Sequence, residues 1–141
     1  MKLPKPILAA VAGLLVFAAC TKKDYEPDEK DATAQISVRD EKGNPLGGVP
    51  VLIYDEKGYE KFQKDRTAPP IAFTLTLPDG KVNYRLPFTE WFASGQRFIT
   101  FVVREEDDAD NYRIWAISRT VRTAETFNIA FRLDRNPILP L

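Results

Sequence analysis

Few residues in this chain could do chemistry. Among 141 residues there is one cysteine, Cys20, and no histidine. Without imidazole, the usual general base and the commonest nitrogen ligand of metals are missing. A single thiol excludes an internal disulfide and a thiolate metal cluster. Acid–base work would fall to carboxylates, lysine or tyrosine alone. The densest carboxylate run is REEDDADN, residues 104–111. A hard cation wants several such oxygens, so Asp107, Asp108 and Asp110 form a weak calcium candidate with Glu106 and Asn111 beside them. The spacing is not that of an EF-hand loop, and no glycine sits at its turn position. The plainer reading is a solvated hairpin tip whose charge blunts the sheet against aggregation. Asp107 and Asp108 on such a tip imply no pocket for paired catalytic carboxylates. A third group is Phe88, Trp91 and Phe92: Thr89 could cap one helical turn that sets them on a shared side, where they would close one end of the sandwich as a lid. The same aromatic residues are candidate contacts for a glycan or a protein. No catalytic residue, cofactor or resident metal is expected, and the chain is not expected to be an enzyme.

Cys20 is the exception, because of what precedes it. Lys2 and Lys5 give a positive start, and Ile7 to Ala19 is an apolar or small-residue run of about 13 residues. That is the length of a secretory signal's apolar segment and too short to span a bilayer as a helix. Phe17-Ala18-Ala19-Cys20 resembles a bacterial lipobox, with Phe17 where leucine is usual. The resemblance implies cleavage before Cys20 and a diacylglyceryl thioether on its sulfur. It makes residues 1–19 a lipoprotein signal peptide and Cys20 the lipidation site and membrane anchor. More than one acyl chain would make that anchor stable.

Losing residues 1–19 removes Lys2 and Lys5 and leaves two more acids than bases. An anionic lipid surface would not attract the remainder, so the acyl chains must hold it. The full chain is formally neutral, with 20 basic and 20 acidic residues, so no nucleic-acid partner is expected. Residues 21–31, TKKDYEPDEKD, are charged, aperiodic and interrupted by Pro27. They read, with Cys20, as a flexible tether. The lysines followed by acids also resemble the stretch after the lipidated cysteine in surface-exposed lipoproteins of some Gram-negative bacteria.

The elements that must position these groups begin at Ala32, where the hydrophobic period becomes two. Ala34, Ile36 and Val38 alternate with polar residues. Val49, Val51 and Ile53 share a face, as do Ile71, Phe73, Leu75 and Leu77. Pro78-Asp79-Gly80 predicts a tight hairpin turn, after which Val82, Tyr84 and Leu86 point inward. The stretch RFITFVVR is apolar on both faces and predicts a central strand. YRIWAISR and ETFNIAFRL complete the pattern, the latter with Phe127, Ile129, Phe131 and Leu133 inward. Arg113, Arg119, Arg122 and Arg132 are expected on outward faces. Residues 56–70 read as a polar excursion. The pattern predicts an all-β, seven-stranded antiparallel sandwich over residues 32–135. An apolar tail, residues 136–141, is expected to dock back through Ile138, Leu139 and Leu141.

Two stretches carry a resemblance. Asp40, Gly43, Pro45, Leu46, Gly48 and Val49, followed by Asp79, Gly80, Lys81, Leu86 and Pro87, are similar to the turn motifs of the transthyretin-like, carboxypeptidase regulatory-like sandwiches. The resemblance spans about residues 34–133 and implies an Ig-like sandwich; it says almost nothing about function. The hydroxyisourate hydrolases of the transthyretin group need histidines, which this chain lacks. Isopeptide-forming repeats of surface adhesins place a lysine late in the first strand and an asparagine near the end of the last. Asn136 fits the second place, but Arg39 holds the first, and a guanidinium stays protonated.

The sequence therefore predicts a secreted, outer-membrane lipid-anchored binding or accessory module, with surface exposure left open. A structural or adhesin-like element of a surface assembly is the main alternative. A glycan-binding accessory of a nutrient importer is the third reading. The implied partners are the membrane, through Cys20, and a protein or a glycan.

Overall fold

The computed structural model describes residues 28–87, 96–106 and 112–134. Among these residues the strands are β1 (Ala32–Asp40), β2 (Pro50–Asp55), β3 (Ala72–Leu75), β4 (Lys81–Leu86), β5 (Gln96–Glu106), β6 (Tyr112–Arg122) and β7 (Thr126–Leu133), with one helix, α1 (Glu56–Lys64), between β2 and β3. They form two sheets, β4-β1-β7 and β3-β2-β5-β6. The sheets bury a shared core of Ile36, Val38, Val51, Ile53, Leu86, Ile99, Phe101, Val103, Phe127, Ile129 and Phe131. This is the seven-stranded all-β sandwich that the alternation predicts. As expected, β5 lies inside its sheet, between β2 and β6. Phe127, Ile129, Phe131 and Leu133 are all buried.

Four features depart from the sequence reading. First, β1 and β7 pair in parallel, Ile36 opposite Ile129, while the other strand pairings are antiparallel. Alternation assigns each strand its faces but not its neighbours. Second, α1 occupies the start of the polar excursion. Asp55 caps it by accepting the Gly58 amide at 2.7 Å, Glu56 sits in its first turn, and Lys61 and Lys64 sit in its last. Its buried contact is Phe62, which packs with Tyr54, Val102 and Ile114 on the outer face of the larger sheet, with Tyr59 alongside.

Third, Arg113 and Arg119 do not point outward. They share the inner face of β6 with Trp115 and Val121 and roof aromatic rings there. The Arg113 guanidinium lies 5.4 Å from the Trp115 ring and that of Arg119 lies 4.4 Å from the Phe127 ring. Each is also paired with a carboxylate, Glu105 and Glu125 respectively. They close the side of the sandwich where β6 runs beside β7. Arg122 and Arg132 are exposed, as expected. Fourth, the Pro78–Gly80 turn forms, with the Gly80 amide on the Leu77 carbonyl and the Leu77 amide on the Lys81 carbonyl. It does not close a two-stranded hairpin, because β3 and β4 leave it for different sheets.

The motif residues meet at this turn. The Val38 amide donates to Gly80 and the Leu46 amide donates to Val38. Thr76, which is buried, donates its hydroxyl to the Leu46 carbonyl at 2.7 Å and accepts the Val49 amide at 2.9 Å. Gly80 has a φ of 78°, and a Cβ there would sit 2.7 Å from the Pro45 ring and 2.9 Å from the Val38 carbonyl. Asp40 organises the neighbouring loop, accepting the Lys42 and Asn44 amides at 2.8 Å each. The repeated turn chemistry is thus explained by a lock between two loops at one end of the sandwich.

At the other end the chain enters. Asp28–Asp31, the last part of the expected tether, form a turn against the sandwich. The Asp31 side chain is fully buried and accepts from Arg85 at 2.9 Å and from the Asp28 amide at 2.9 Å. The Lys30 carbonyl accepts the Ala124 amide of the β6–β7 turn. No helix among the described residues is long and apolar enough to cross a membrane.

Candidate functional site

The sites proposed from sequence, Cys20, the Phe88, Trp91 and Phe92 group, and Asp107, Asp108 and Asp110, lie outside the described residues, as do residues 136–141 with Asn136. The register places Glu106 opposite Tyr112, so residues 107–111 connect the paired ends of β5 and β6. Among the described residues no three acidic side chains converge as a metal site would require. Arg39 is exposed and donates to the Gly43 carbonyl at 3.0 Å.

A different feature stands out. Ile71, Phe73, Leu75 and Leu77 share a face, but it is the outward one, and they are 41%, 61%, 50% and 57% exposed. The register explains this. Thr74 lies opposite Val51 and Ala72 opposite Ile53, so those small side chains accompany the core residues inward. Phe73 lies opposite Leu52, on the face that α1 covers farther across the sheet. The helix packs on residues of β2, β5 and β6, and no residue of β3 belongs to that cluster.

β3 is also an edge strand. The Thr76 amide donates to Val49 at 3.1 Å, toward β2. Backbone direction alternates along an extended strand, so Thr74 and Ala72 turn the same way, and Phe73 and Leu75 turn their N–H and C=O groups away from the sheet. Residues 71–77 contain no charge, proline or glycine, and Pro69, Pro70 and Pro78 bracket them. Soluble proteins usually protect such an edge with charge, proline or a covering segment. An uncharged edge with Phe73 and Leu75 exposed on it and Ile71 and Leu77 flanking it has the features that strand addition exploits. The sequence signal was present in the small side chains of the alternate row, Ala72, Thr74 and Thr76, which could face a crowded interior.

The outer face of the smaller sheet is the opposite in character. Gln35 lies between Asn83 and Asn128 across β4-β1-β7, and Ser37 lies between Lys81 and Ala130. These side chains line a shallow depression of about 510 Å³. The strands' outward positions there also carry Arg39, Arg85 and Arg132 and no carboxylate between Thr33 and Arg39, Lys81 and Arg85, or Thr126 and Arg132.

No family model and no curated protein sequence matches the chain. Among solved structures it aligns with a mutant shaft pilin, spaA, of Lactobacillus rhamnosus GG. The identity is 15% and the TM-score 0.43, over 72% of this chain and 46% of the pilin chain. The chain spans less than half of that pilin's length, and a likeness of this size says nothing of function.

Proposed function

We propose that this chain is a lipid-anchored, non-enzymatic β-sandwich module of transthyretin-like type, held at the bacterial outer membrane or cell surface, that joins a protein assembly through the β3 edge. The observation that carries the binding role is the exposed stripe of Ile71, Phe73, Leu75 and Leu77 on an unprotected edge strand. The anchor is supported by the positive start, the apolar run and Phe17-Ala18-Ala19-Cys20. The transthyretin-like type is supported by the motif residues around Asp40 and Gly80, which serve as a loop-to-loop lock. The test is native electrophoresis of detergent-solubilised membranes with intact mass analysis of the N-terminal peptide. The reading expects a diacylated Cys20 at the new N-terminus and a complex that Phe73→Lys dissolves. A soluble, unmodified parent chain refutes the anchor, and a parent that runs only as a monomer refutes the assembly role.

A second reading, a glycan-binding accessory, is favoured by the amide row Asn83–Gln35–Asn128 beside Lys81 and Ser37. Amides and hydroxyls pair with sugar hydroxyls, and the basic residues suit an acidic sugar. A glycan array comparing the parent with Gln35→Ala and with Trp91→Ala decides it; no retention by the parent removes this reading.

A further inference from the structure

The β3 edge has a register that suits one occupant in particular. We infer that it pairs with the β3 edge of a second copy of this chain, antiparallel about a two-fold axis at Thr74. The inference rests on reading β3 as the docking edge and names what docks there.

The argument starts from the backbone. Phe73 and Leu75 direct their N–H and C=O groups outward, while Thr74 directs its own toward β2. In an antiparallel pair centred on Thr74, Phe73 of one copy lies opposite Leu75 of the other, and the reverse. Both are hydrogen-bonding positions, so the two pairs close four backbone bonds. Thr74 faces Thr74 of the second copy at the non-bonded position between them. The regular register ends there, because the Ile71 amide turns to the Ile53 carbonyl and the Leu77 amide to the Lys81 carbonyl. Phe73 and Leu75, the two large exposed side chains of β3 itself, then each meet the other's counterpart on the outer face.

Charge points the same way. An edge that carries charge repels its own copy when it is paired about a two-fold axis, and residues 71–77 carry none. The stripe is 41–61% exposed beside the helix, so α1 does not cover it. The chain leaves β7 at an edge of the other sheet. Contacts place β4 beside β3 and β7 beside β6, so the segment after β7 starts on the side of the sandwich away from β3. The contact would be small, on the order of 1,000 Å² in total, at the low end of specific interfaces. A weak, concentration-dependent dimer is therefore expected, which restriction to a membrane plane would favour.

The test uses the full chain purified in mild detergent. Sedimentation velocity over a wide concentration range should show a reversible monomer–dimer equilibrium, and Phe73→Lys or Leu75→Lys should abolish it with the circular dichroism spectrum unchanged. The non-bonded position brings Cα atoms to about 4.5 Å, within disulfide range. Mild oxidation of Thr74→Cys should therefore give at least a tenfold excess of covalent dimer over Asn83→Cys on the far sheet, since a Cys20 held as a thioether leaves the parent no thiol to oxidise. Equal cross-linking of Thr74→Cys and Asn83→Cys overturns self-pairing. So does a Phe73-dependent complex containing a different protein, although that result leaves the docking-edge reading standing. A monomer at every concentration, in membranes as in detergent, sinks both.

Discussion

Asp55 accepts Arg97 Nη2 at 2.9 Å on one carboxylate oxygen and the Gly58 amide at 2.7 Å on the other. One side chain thus starts α1 and ties that start to β5. The helix has a single buried side chain, Phe62, to hold it down otherwise. Replacing Asp55 with Ala removes the cap and the ion pair and should destabilise the chain by about 1–2 kcal/mol. Arg97→Met should cost less than about 1 kcal/mol, because the pair is partly solvated. Urea unfolding of both variants checks the order; Arg97→Met as the more damaging change would show that the cap is not what holds the helix.

Thr76 makes its own prediction. Its hydroxyl donates to Leu46 and accepts from Val49 in a buried setting. Thr76→Val keeps the shape and strips both bonds, leaving a part-buried carbonyl and a part-buried amide without that partner. The expected loss is about 1–2 kcal/mol, and Thr76→Ser should recover more than half of it. Thermal unfolding separates the two. If serine is no better than valine, packing of the methyl group rather than hydrogen bonding secures the 46–49 turn.

Gly80→Ala should be worse than either. The new methyl would sit 2.7 Å from Pro45 Cβ and 2.9 Å from the Val38 carbonyl, at a φ of 78° that disfavours any side chain. Relief would require parting β1 from the two loops, so the expected loss is at least about 3 kcal/mol, with reduced yield of folded chain. Asp79→Ala, one residue earlier, loses only an exposed bond to the Lys81 amide and should stay within about 1 kcal/mol of the parent. Comparable melting temperatures for the two variants would contradict the lock.

Much of this arrangement could be read from the sequence because it depends on alternation and turn chemistry. The inward row Phe127, Ile129, Phe131 and Leu133 follows from period two, and the Asp40 and Gly80 turns follow from residues that alone take those backbone conformations. What could not be read depends on neighbours. Alternation shows that Ile71, Phe73, Leu75 and Leu77 share a face, but only the pairing of Thr74 with Val51 shows that this face is outward. Arg113 and Arg119 look like surface residues until β7 brings Phe127 beneath one of them and the strand's own Trp115 beneath the other. The helix offers two aromatic residues, Tyr59 and Phe62, in an otherwise polar run, too few to show a helical period. The exposed character of that face is not legible in the sequence, because a large apolar side chain gives the same signal whether it lies in the core or on the surface.

The last prediction concerns pH. Burial raises the Tyr54 and Tyr59 phenols above the ordinary tyrosine value, outweighing the opposing charges of Arg104 and Arg66. Tyr54 also donates its hydroxyl to the Ala68 carbonyl at 2.9 Å. A raised folded pKa favours the protonated state, so this stability is fully present below about pH 10 and is lost as pH rises through the folded values. Asp40 and Asp65 behave oppositely. Hydrogen bonds, first from the Asn44 amide to Asp40 and from the Thr67 hydroxyl to Asp65, hold both carboxyls below the usual range. Their contribution is present above about pH 4 and fades as pH falls through the folded values. Asp65 is exposed and Asp40 half-buried, so the acid effect should be shallow and local. The alkaline effect should be the larger one and should begin at the face under α1. Tyr54→Phe, which cannot ionise, should lose some stability at neutral pH through the missing Ala68 bond and unfold later on the alkaline side. Thermal unfolding of parent and variant across the alkaline range measures this. If the gap between them fails to narrow as pH rises, the buried phenol does not govern alkaline unfolding.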